Sequence, residues 1–178
     1  NCESGTERLL EVASVKEHFD IYVNVQGDEP LIPAELLESC VTKLKTARSA
    51  TICTASTDLA ESEINNPNVV KVVTDHNNCA LYFSRAPIPF CRKGEWNEDL
   101  HAKHIGLYGF TAEAVSKIHK LKSVAIEKYE ALEQLRWLYY GIPIHVISTH
   151  YKAYGIDVAD DIPLVESIIS DSQIDDSH

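Results

Sequence analysis

A short apolar strand followed closely by a helix constrains this chain more than any other feature. Residues 21–25 (IYVNV) are rich in β-branched side chains and are bounded by Gly27 and Pro30, a pattern that predicts a buried strand. Pro33 then suits the first position of a helix, and apolar residues recur at helical spacing over residues 36–44. A strand joined by a short turn to a helix is the building unit of α/β folds.

The same alternation continues along the chain and predicts a single α/β domain over residues 1–178. Strands are expected at residues 50–54, 69–73, 79–83, 104–110 and 142–148, and helices at residues 112–120, 126–140 and 160–170. The order of these elements predicts a mostly parallel sheet. Sheets of this kind bind ligands outside the carboxyl ends of their strands.

Two features interrupt the alternation. The strands at residues 69–73 and 79–83 are separated only by the turn-rich residues 75–78 (DHNN), so they are expected to form a hairpin. Residues 85–101 contain two prolines, a glycine and many charges, which predicts a long surface loop or arm. Loops of this length are often functional, and this arm is a candidate for a dimer contact or for closure over a site.

Composition limits the classes of partner. Lys and Arg number 16 against 27 Asp and Glu, a net charge of −11, which argues against nucleic acid or an anionic membrane as the main partner. The five cysteines are scattered without a C-x-x-C pair, so neither a disulfide framework nor a zinc site is predicted. No apolar run approaches the roughly 18 residues of a membrane span, and no signal peptide is recognised. A cytoplasmic location is expected.

Carboxylates stand where an α/β sheet would place a site. Asp28 and Glu29 lie just past the first strand, and Asp157 follows a Gly-Ile pair ahead of the last helix. Each has an ordinary alternative, because Asp28 also suits a turn before Pro30 and Asp157 also suits a helix cap. Together, oxygen ligands from two strand ends suit Mg²⁺, which is usually bound through one or two carboxylates plus substrate phosphates.

Arg8, His104 and Tyr108 are candidates for binding an anionic substrate. Arg8 lies in the first turn of a helix that the capping-box sequence at residues 4–7 (SGTE) predicts, where its charge opposes the helix dipole. A bound carboxylate would explain it, and so would a solvated surface position. His104 and Tyr108 share one face of their strand with Gly106 between them, although either also suits a half-buried strand residue.

The remaining polar candidates are Lys103, Arg136, Glu133 and Gln134. Glu133 and Gln134 stand beside the apolar stripe of the helix predicted at residues 126–140, where a solvated helix flank is the alternative. The chain has no G-x-S-x-G, Walker or G-x-G-x-x-G motif, so the common nucleophilic and nucleotide-binding signatures give no support.

Six motifs in one fixed order carry a resemblance to a known family. They are residues 4–8 (SGTER), 23–30 (VNVQGDEP), 81–85 (LYFSR), 104–108 (HIGLY), 132–136 (LEQLR) and 155–157 (GID). In this order they resemble the 3-deoxy-manno-octulosonate cytidylyltransferases, also called CMP-Kdo synthetases, over nearly the whole chain.

The resemblance implies transfer of CMP from CTP to the anomeric hydroxyl of Kdo, with release of pyrophosphate, for lipopolysaccharide synthesis. It implies a doubly wound, Rossmann-like nucleotidyltransferase sheet with an arm used for dimerisation, in a cytoplasmic homodimer that uses Mg²⁺. Asp28 and Asp157 then correspond to the catalytic magnesium ligands. The residues corresponding to the sugar-contacting set are Arg8, Gln26, His104, Tyr108, Glu133 and Gln134, with Arg8 on the sugar carboxylate.

The chain departs from the family at its beginning. Members open with a strand and a glycine-rich loop that cradles CTP, and no such segment precedes Asn1 here, nor does the chain contain Met. The sequence is therefore expected to lack its beginning, with the CTP-binding half of the site upstream. A cytidylyltransferase for an 8-amino analogue of Kdo or a nonulosonate, and a non-catalytic sugar-binding protein, remain alternatives.

Overall fold

One mixed sheet with helices on both faces forms the body of the protein. The structure is a computed structural model and describes residues 8, 9, 11, 19–27, 30–47, 49, 51–94, 97–151 and 162–175. Its strands are β1 (Ile21–Asn24), β2 (Ile52–Asp58), β3 (Lys71–Thr74), β4 (Ala80–Ser84), β5 (Ala102–Thr111) and β6 (Ile144–Ser148). The helices with described bounds are α1 (Ala34–Lys45), α2 (Ala112–Ile118), α3 (Ala125–Glu130), α4 (Gln134–Tyr139) and α5 (Ile162–Asp175), and a 3₁₀ turn covers Glu61–Glu63.

The long strand β5 organises the sheet. It pairs antiparallel with β2 along one edge and with both β3 and β1 along the other, while β6 extends the sheet parallel to β2. Among the described strands, β1, β2, β3 and β6 therefore share one direction, and β4 and β5 run opposite to them, so the sheet is mixed where a mostly parallel sheet was predicted. The reversed strand β5 separates β2 from β1 and β3, so β2 and β6 form the one parallel pair described.

Helix α1 covers one face of the sheet. It begins after Pro33 and buries Leu36, Cys40 and Leu44, which recur every four residues and so form one stripe. Glu35 in its first turn, together with two lysines in its last turn, complements the helix dipole. This stripe packs against the odd-numbered side chains of β5, whose Ile105 and Leu107 are buried beneath it.

An aromatic cluster fills the opposite face. The rings of Tyr108 and Phe110 on β5 both meet Trp137 of α4 edge-on, at centroid distances of 5.2 and 5.4 Å. Leu132 and Leu135 belong to the same core. Of the aromatic residues on α4, Trp137 is 1% exposed and belongs to this core, whereas Tyr139 is 67% exposed and does not.

The helix predicted over residues 126–140 is two helices, so the prediction is wrong at its centre. Ala131 adopts a left-handed conformation with φ 50° and separates α3 from α4. Arg85 holds the break in place: its Nε donates to the carbonyl of Glu130 at 2.7 Å. Because the apolar period continues through Ala131 without Gly or Pro, the sequence pattern gave no sign of the interruption.

The hairpin and the arm follow the sequence prediction. Strands β3 and β4 pair antiparallel across the turn at residues 75–78. Residues 85–94 and 97–101 carry no helix or strand. None of the helices within the described residues is long and apolar enough to cross a membrane.

Candidate active site

One face of β5 brings three of the predicted sugar-contacting residues together. His104, Gly106 and Tyr108 alternate along this face, and the rings of His104 and Tyr108 lie 5.3 Å apart between centroids. A Cβ placed on Gly106 would lie 3.3 Å from Cδ and Nε2 of Gln26. The Gln26 side chain therefore lies over the gap that Gly106 leaves between His104 and Tyr108.

His104 is a neutral, partly buried imidazole. Its ring meets Phe83 edge-on at 5.1 Å, and its Nε2 is 2.9 Å from the hydroxyl oxygen of Thr54. Burial lowers the pKa of His104 from 6.5 to about 3, because an imidazolium loses its hydration there. At neutral pH this residue therefore offers a hydrogen-bonding ring and no charge.

Tyr108 presents a buried hydroxyl to the same face. The residue is 6% exposed, and its hydroxyl forms no hydrogen bond within the described part of the chain. Burial raises the pKa of Tyr108 well above its ordinary value, and the nearby negative charge of Glu133 raises it further. The neighbouring Thr54 hydroxyl lowers the pKa of Tyr108 in part, although it does not form a hydrogen bond with the Tyr108 hydroxyl. Tyr108 therefore stays protonated, and among the described residues its hydroxyl has no hydrogen-bond partner.

Thr54 enters the site through an irregularity in the sheet that the sequence did not predict. The pairing of β2 with β5 shifts between Thr54, which faces Tyr108, and Ala55, which faces Ile105. The Thr54 hydroxyl lies 2.7 Å from the carbonyl oxygen of Leu107 and 3.2 Å from that of Ile105. It thus occupies the space that the bulge opens, beside His104.

Glu133 and Gln134 stand at the start of α4 on the same side of the sheet. Gln134 is 5% exposed, and Glu133 binds Arg136 through an ion pair of 2.6 Å. Arg136 also lies 3.6 Å from Glu127. The charge of Arg136 is therefore balanced by carboxylates of the protein itself, and it is not a free cation for a substrate.

The other two cationic candidates differ from each other. Lys103 forms a 3.0 Å ion pair with Glu63, so its charge is also balanced internally. Arg8 is exposed on a helical segment, where the neighbouring Leu9 packs against the aromatic core. Of the three candidate Lys and Arg side chains, Arg8 is the one for which no carboxylate partner is described.

Asp28 and Asp157, the predicted metal ligands, lie outside the described residues. Within the part of the chain that is described, no group of three or more His, Cys, Asp or Glu side chains forms a metal site. A metal site built on the two aspartates therefore stays a prediction.

The sequence and the architecture are both similar to those of known proteins. The sequence profile of the cytidylyltransferases matches residues 1–147. The 3-deoxy-manno-octulosonate cytidylyltransferase of Vibrio vulnificus strain YJ016 is 44% identical over 96% of the chain and 71% of its own length. A relative from Arabidopsis thaliana, named as mitochondrial, is 35% identical over 95% of the chain and 59% of its own length. A solved structure of CMP:2-keto-3-deoxy-manno-octonic acid synthetase complexed with CTP superposes with a TM-score of 0.89, at 32% identity over 97% of the chain and 70% of its own.

The mixed α/β sheet and the matching profile define a nucleotidyltransferase that uses CTP. Such transferases generally act with a divalent metal ion. The 44% identity to the Vibrio vulnificus enzyme extends over most of both chains. The chain therefore belongs to the 3-deoxy-manno-octulosonate cytidylyltransferase family.

Proposed function

We propose that this protein transfers CMP from CTP to the anomeric hydroxyl of 3-deoxy-manno-octulosonate, releasing pyrophosphate and yielding CMP-Kdo for lipopolysaccharide synthesis. Family membership supports the class of reaction. The observation that carries the sugar site is the placement of Gln26, His104 and Tyr108 around Gly106 on one face of β5.

The chemistry of this face suits a polyhydroxylated sugar. Gln26, neutral His104 and protonated Tyr108 supply hydrogen-bonding groups without charge, and the buried Tyr108 hydroxyl is unsatisfied in the described structure. A buried polar group without a partner costs about 1–3 kcal/mol, which a bound hydroxyl would recover. Glu133 and Gln134 border the same side of the sheet, and Arg8 is proposed to bind the sugar carboxylate.

We propose Mg²⁺ as the divalent metal, held by Asp28 and Asp157. When bound, the metal would neutralise negative charge on the phosphates and lower the pKa of the attacking hydroxyl. Asp28 follows Gln26 by two residues in the chain, which ties the proposed metal ligand to a residue of the sugar face.

The residues of the chain contribute mainly by positioning the reactants. The anomeric oxygen attacks the α-phosphorus in line, its bond to that phosphorus forms as the bond to pyrophosphate breaks, and the hydroxyl proton is released to solvent. Correct orientation of two bound reactants is worth up to about 7–11 kcal/mol in favourable cases. A face of uncharged hydrogen-bonding groups with no activated nucleophile matches this requirement.

Pyrophosphate release by the full-length protein, including any residues encoded before Asn1, tests the proposal. CTP and Mg²⁺ are supplied with Kdo, its 8-amino analogue or a nonulosonate in separate assays. Preference for Kdo in kcat/KM is expected, and preference for another acid would replace Kdo as the substrate. Binding of Kdo without turnover in the presence of CTP and metal would favour a sugar-binding protein.

Replacement of Asp28 by Asn tests the metal role. The Asp28→Asn variant should keep its thermal unfolding midpoint and lose nearly all turnover at any Mg²⁺ concentration, because an amide is a poor ligand for a hard cation. Asp20→Asn, an exposed aspartate ahead of the same strand, is the matched control and should leave turnover unchanged. Near-normal activity of Asp28→Asn would remove Asp28 from the metal site.

We further propose a cytoplasmic homodimer in which the arm at residues 85–101 forms the contact between subunits. Phe90 and Leu100 on this arm are 83% and 56% exposed, so the arm offers apolar side chains to a second subunit. The four described cysteines are free thiols, which suits a reducing compartment. Light scattering of the wild type and of Phe90→Ser tests the dimer, since a dimer that forms through the arm should weaken in the variant.

A further inference from the structure

The hydroxyl of Thr54 makes contacts that fix the proton on His104. A threonine hydroxyl has one hydrogen to donate, whereas a carbonyl oxygen can only accept. The Thr54 oxygen lies 2.7 Å from the carbonyl of Leu107 and 3.2 Å from that of Ile105. The hydroxyl hydrogen is therefore directed to these carbonyls, with Leu107 the nearer acceptor.

The third contact of Thr54 then has only one arrangement. Nε2 of His104 lies 2.9 Å from the same hydroxyl oxygen, whose hydrogen is already directed to a carbonyl. The two lone pairs of the oxygen can only accept, so Nε2 must carry a hydrogen and donate it. The alternative, with the hydroxyl donating to Nε2, would leave two carbonyl oxygens facing a hydroxyl oxygen without a hydrogen between them.

This arrangement determines the other nitrogen of the ring. A neutral imidazole carries one N–H, and the hydrogen bond made by one nitrogen sets the state of the other. His104 is neutral because burial lowers its pKa to about 3. With the hydrogen on Nε2, Nδ1 is a bare acceptor, and within the described residues it has no hydrogen-bond partner.

We propose that Thr54 is a positioning residue that holds His104 in the Nε2–H tautomer, so that Nδ1 accepts a hydrogen bond from a hydroxyl of the bound sugar acid. This inference rests on the proposed function for its ligand and on the contacts of Thr54 for its tautomer. The bulge between Thr54 and Ala55 is the structural cause, because it directs the carbonyls of Ile105 and Leu107 onto the Thr54 hydroxyl.

The first test reads the tautomer directly and requires no substrate. Two-bond ¹H–¹⁵N correlation spectra of protein labelled with ¹⁵N-histidine distinguish protonated from bare ring nitrogens, and the His104→Gln variant assigns the signal. We expect a protonated Nε2 and a bare Nδ1 in the wild type and in Thr54→Ser. In Thr54→Val, which keeps the shape and removes the hydroxyl, we expect a shift toward the Nδ1–H form.

The second test connects the tautomer to the sugar. Thr54→Val should raise the KM for Kdo about three- to tenfold, the range for losing one hydrogen bond, with a smaller change in the KM for CTP. Thr54→Ser should restore most of the affinity. Thr51→Val is the matched control, because it removes another buried hydroxyl next to the same strand, one that donates to the carbonyl of Ser49.

The outcomes separate this inference from the proposed function. An Nδ1–H signal in the wild type, or an unchanged tautomer in Thr54→Val, overturns the role of Thr54. A tautomer shift without a change in the KM for Kdo overturns the assignment of Nδ1 to the sugar. In the last outcome, the wild-type protein shows the Nε2–H tautomer of His104 and yet transfers CMP to none of the sugar acids. That result would support the role of Thr54 in setting the tautomer and would overturn the proposed function.

Discussion

The side chain of Gln26 lies directly over Gly106, with its Cδ and Nε2 only 3.3 Å from the point where a Cβ on Gly106 would stand. The absence of a side chain at Gly106 thus provides the place where Gln26 crosses β5. Gln26 is exposed and lies beyond the end of β1, so its side chain has room to move away when this space is filled. Gly106 therefore controls the position of Gln26 more than it controls the stability of the sheet.

Replacement of Gly106 by Ala should displace Gln26 and leave the fold intact. We expect the KM for Kdo to rise about three- to tenfold, equivalent to one lost hydrogen bond, and the free energy of unfolding to change by less than about 1 kcal/mol. Steady-state kinetics and urea unfolding measure the two quantities. An unchanged KM would show that Gln26 does not contact the sugar.

Replacement of Gly109 by Ala should have the opposite profile. A Cβ there would stand 2.5 Å from Sγ of Cys40 and 2.7 Å from Cδ1 of Leu44, both fully packed on α1. Such overpacking typically costs about 1–3 kcal/mol of stability. Urea unfolding should show this loss in Gly109→Ala, and a variant as stable as Gly106→Ala would contradict the close packing of α1 on β5.

These two glycines show how far the sequence could predict the site. Alternation along β5 correctly placed His104 and Tyr108 on one face, because strand periodicity follows from the backbone alone. The same alternation places Gly109 on the other face, where it packs against helix α1. That contact depends on a helix some 70 residues earlier in the chain, and local pattern carries no record of it.

Thr54 and Ala131 were beyond the reach of the sequence for a similar reason. Thr54 meets His104 only because a bulge shifts the pairing of β2 and β5, and no residue type at this position marks a bulge. Ala131 breaks a helix whose apolar period is continuous, where contacts from Arg85 hold the unusual conformation. The hairpin, by contrast, was predictable because its turn residues and its two strands are adjacent in the chain.

The buried ammonium of Lys71 should be essential for stability. Lys71 is 0% exposed, and its Nζ donates to the carbonyls of Asn66, Val69 and Arg85 at 2.7–2.8 Å. Burial and the positive charge of Arg85 lower the pKa of Lys71. Lys71→Met would leave three carbonyl oxygens without their donor, and we expect a loss of about 2–4 kcal/mol in the free energy of unfolding.

The control for Lys71→Met is Lys117→Met. Lys117 is a half-exposed lysine on α2 that pairs with Glu113 one turn away at 2.9 Å. Exposed pairs of this kind contribute little, so its loss should cost less than about 0.5 kcal/mol. Equal effects of the two substitutions would show that the three hydrogen bonds of Lys71 contribute no more stability than the exposed ion pair of Lys117.

The low pKa of His104 predicts a specific dependence of stability on acid. His104 has a pKa of about 3 in the folded protein against 6.5 when unfolded, so between these values the unfolded chain binds the additional proton. Stability from this residue is therefore complete above pH 6.5 and is lost as the pH falls, by up to about 2 kcal/mol at pH 5. The free energy of unfolding, measured by urea at pH 7 and pH 5, should fall more in the wild type than in His104→Gln, which has no proton to gain. An identical fall in both proteins would show that the contacts with Phe83 and Tyr108 do not keep the His104 imidazole neutral.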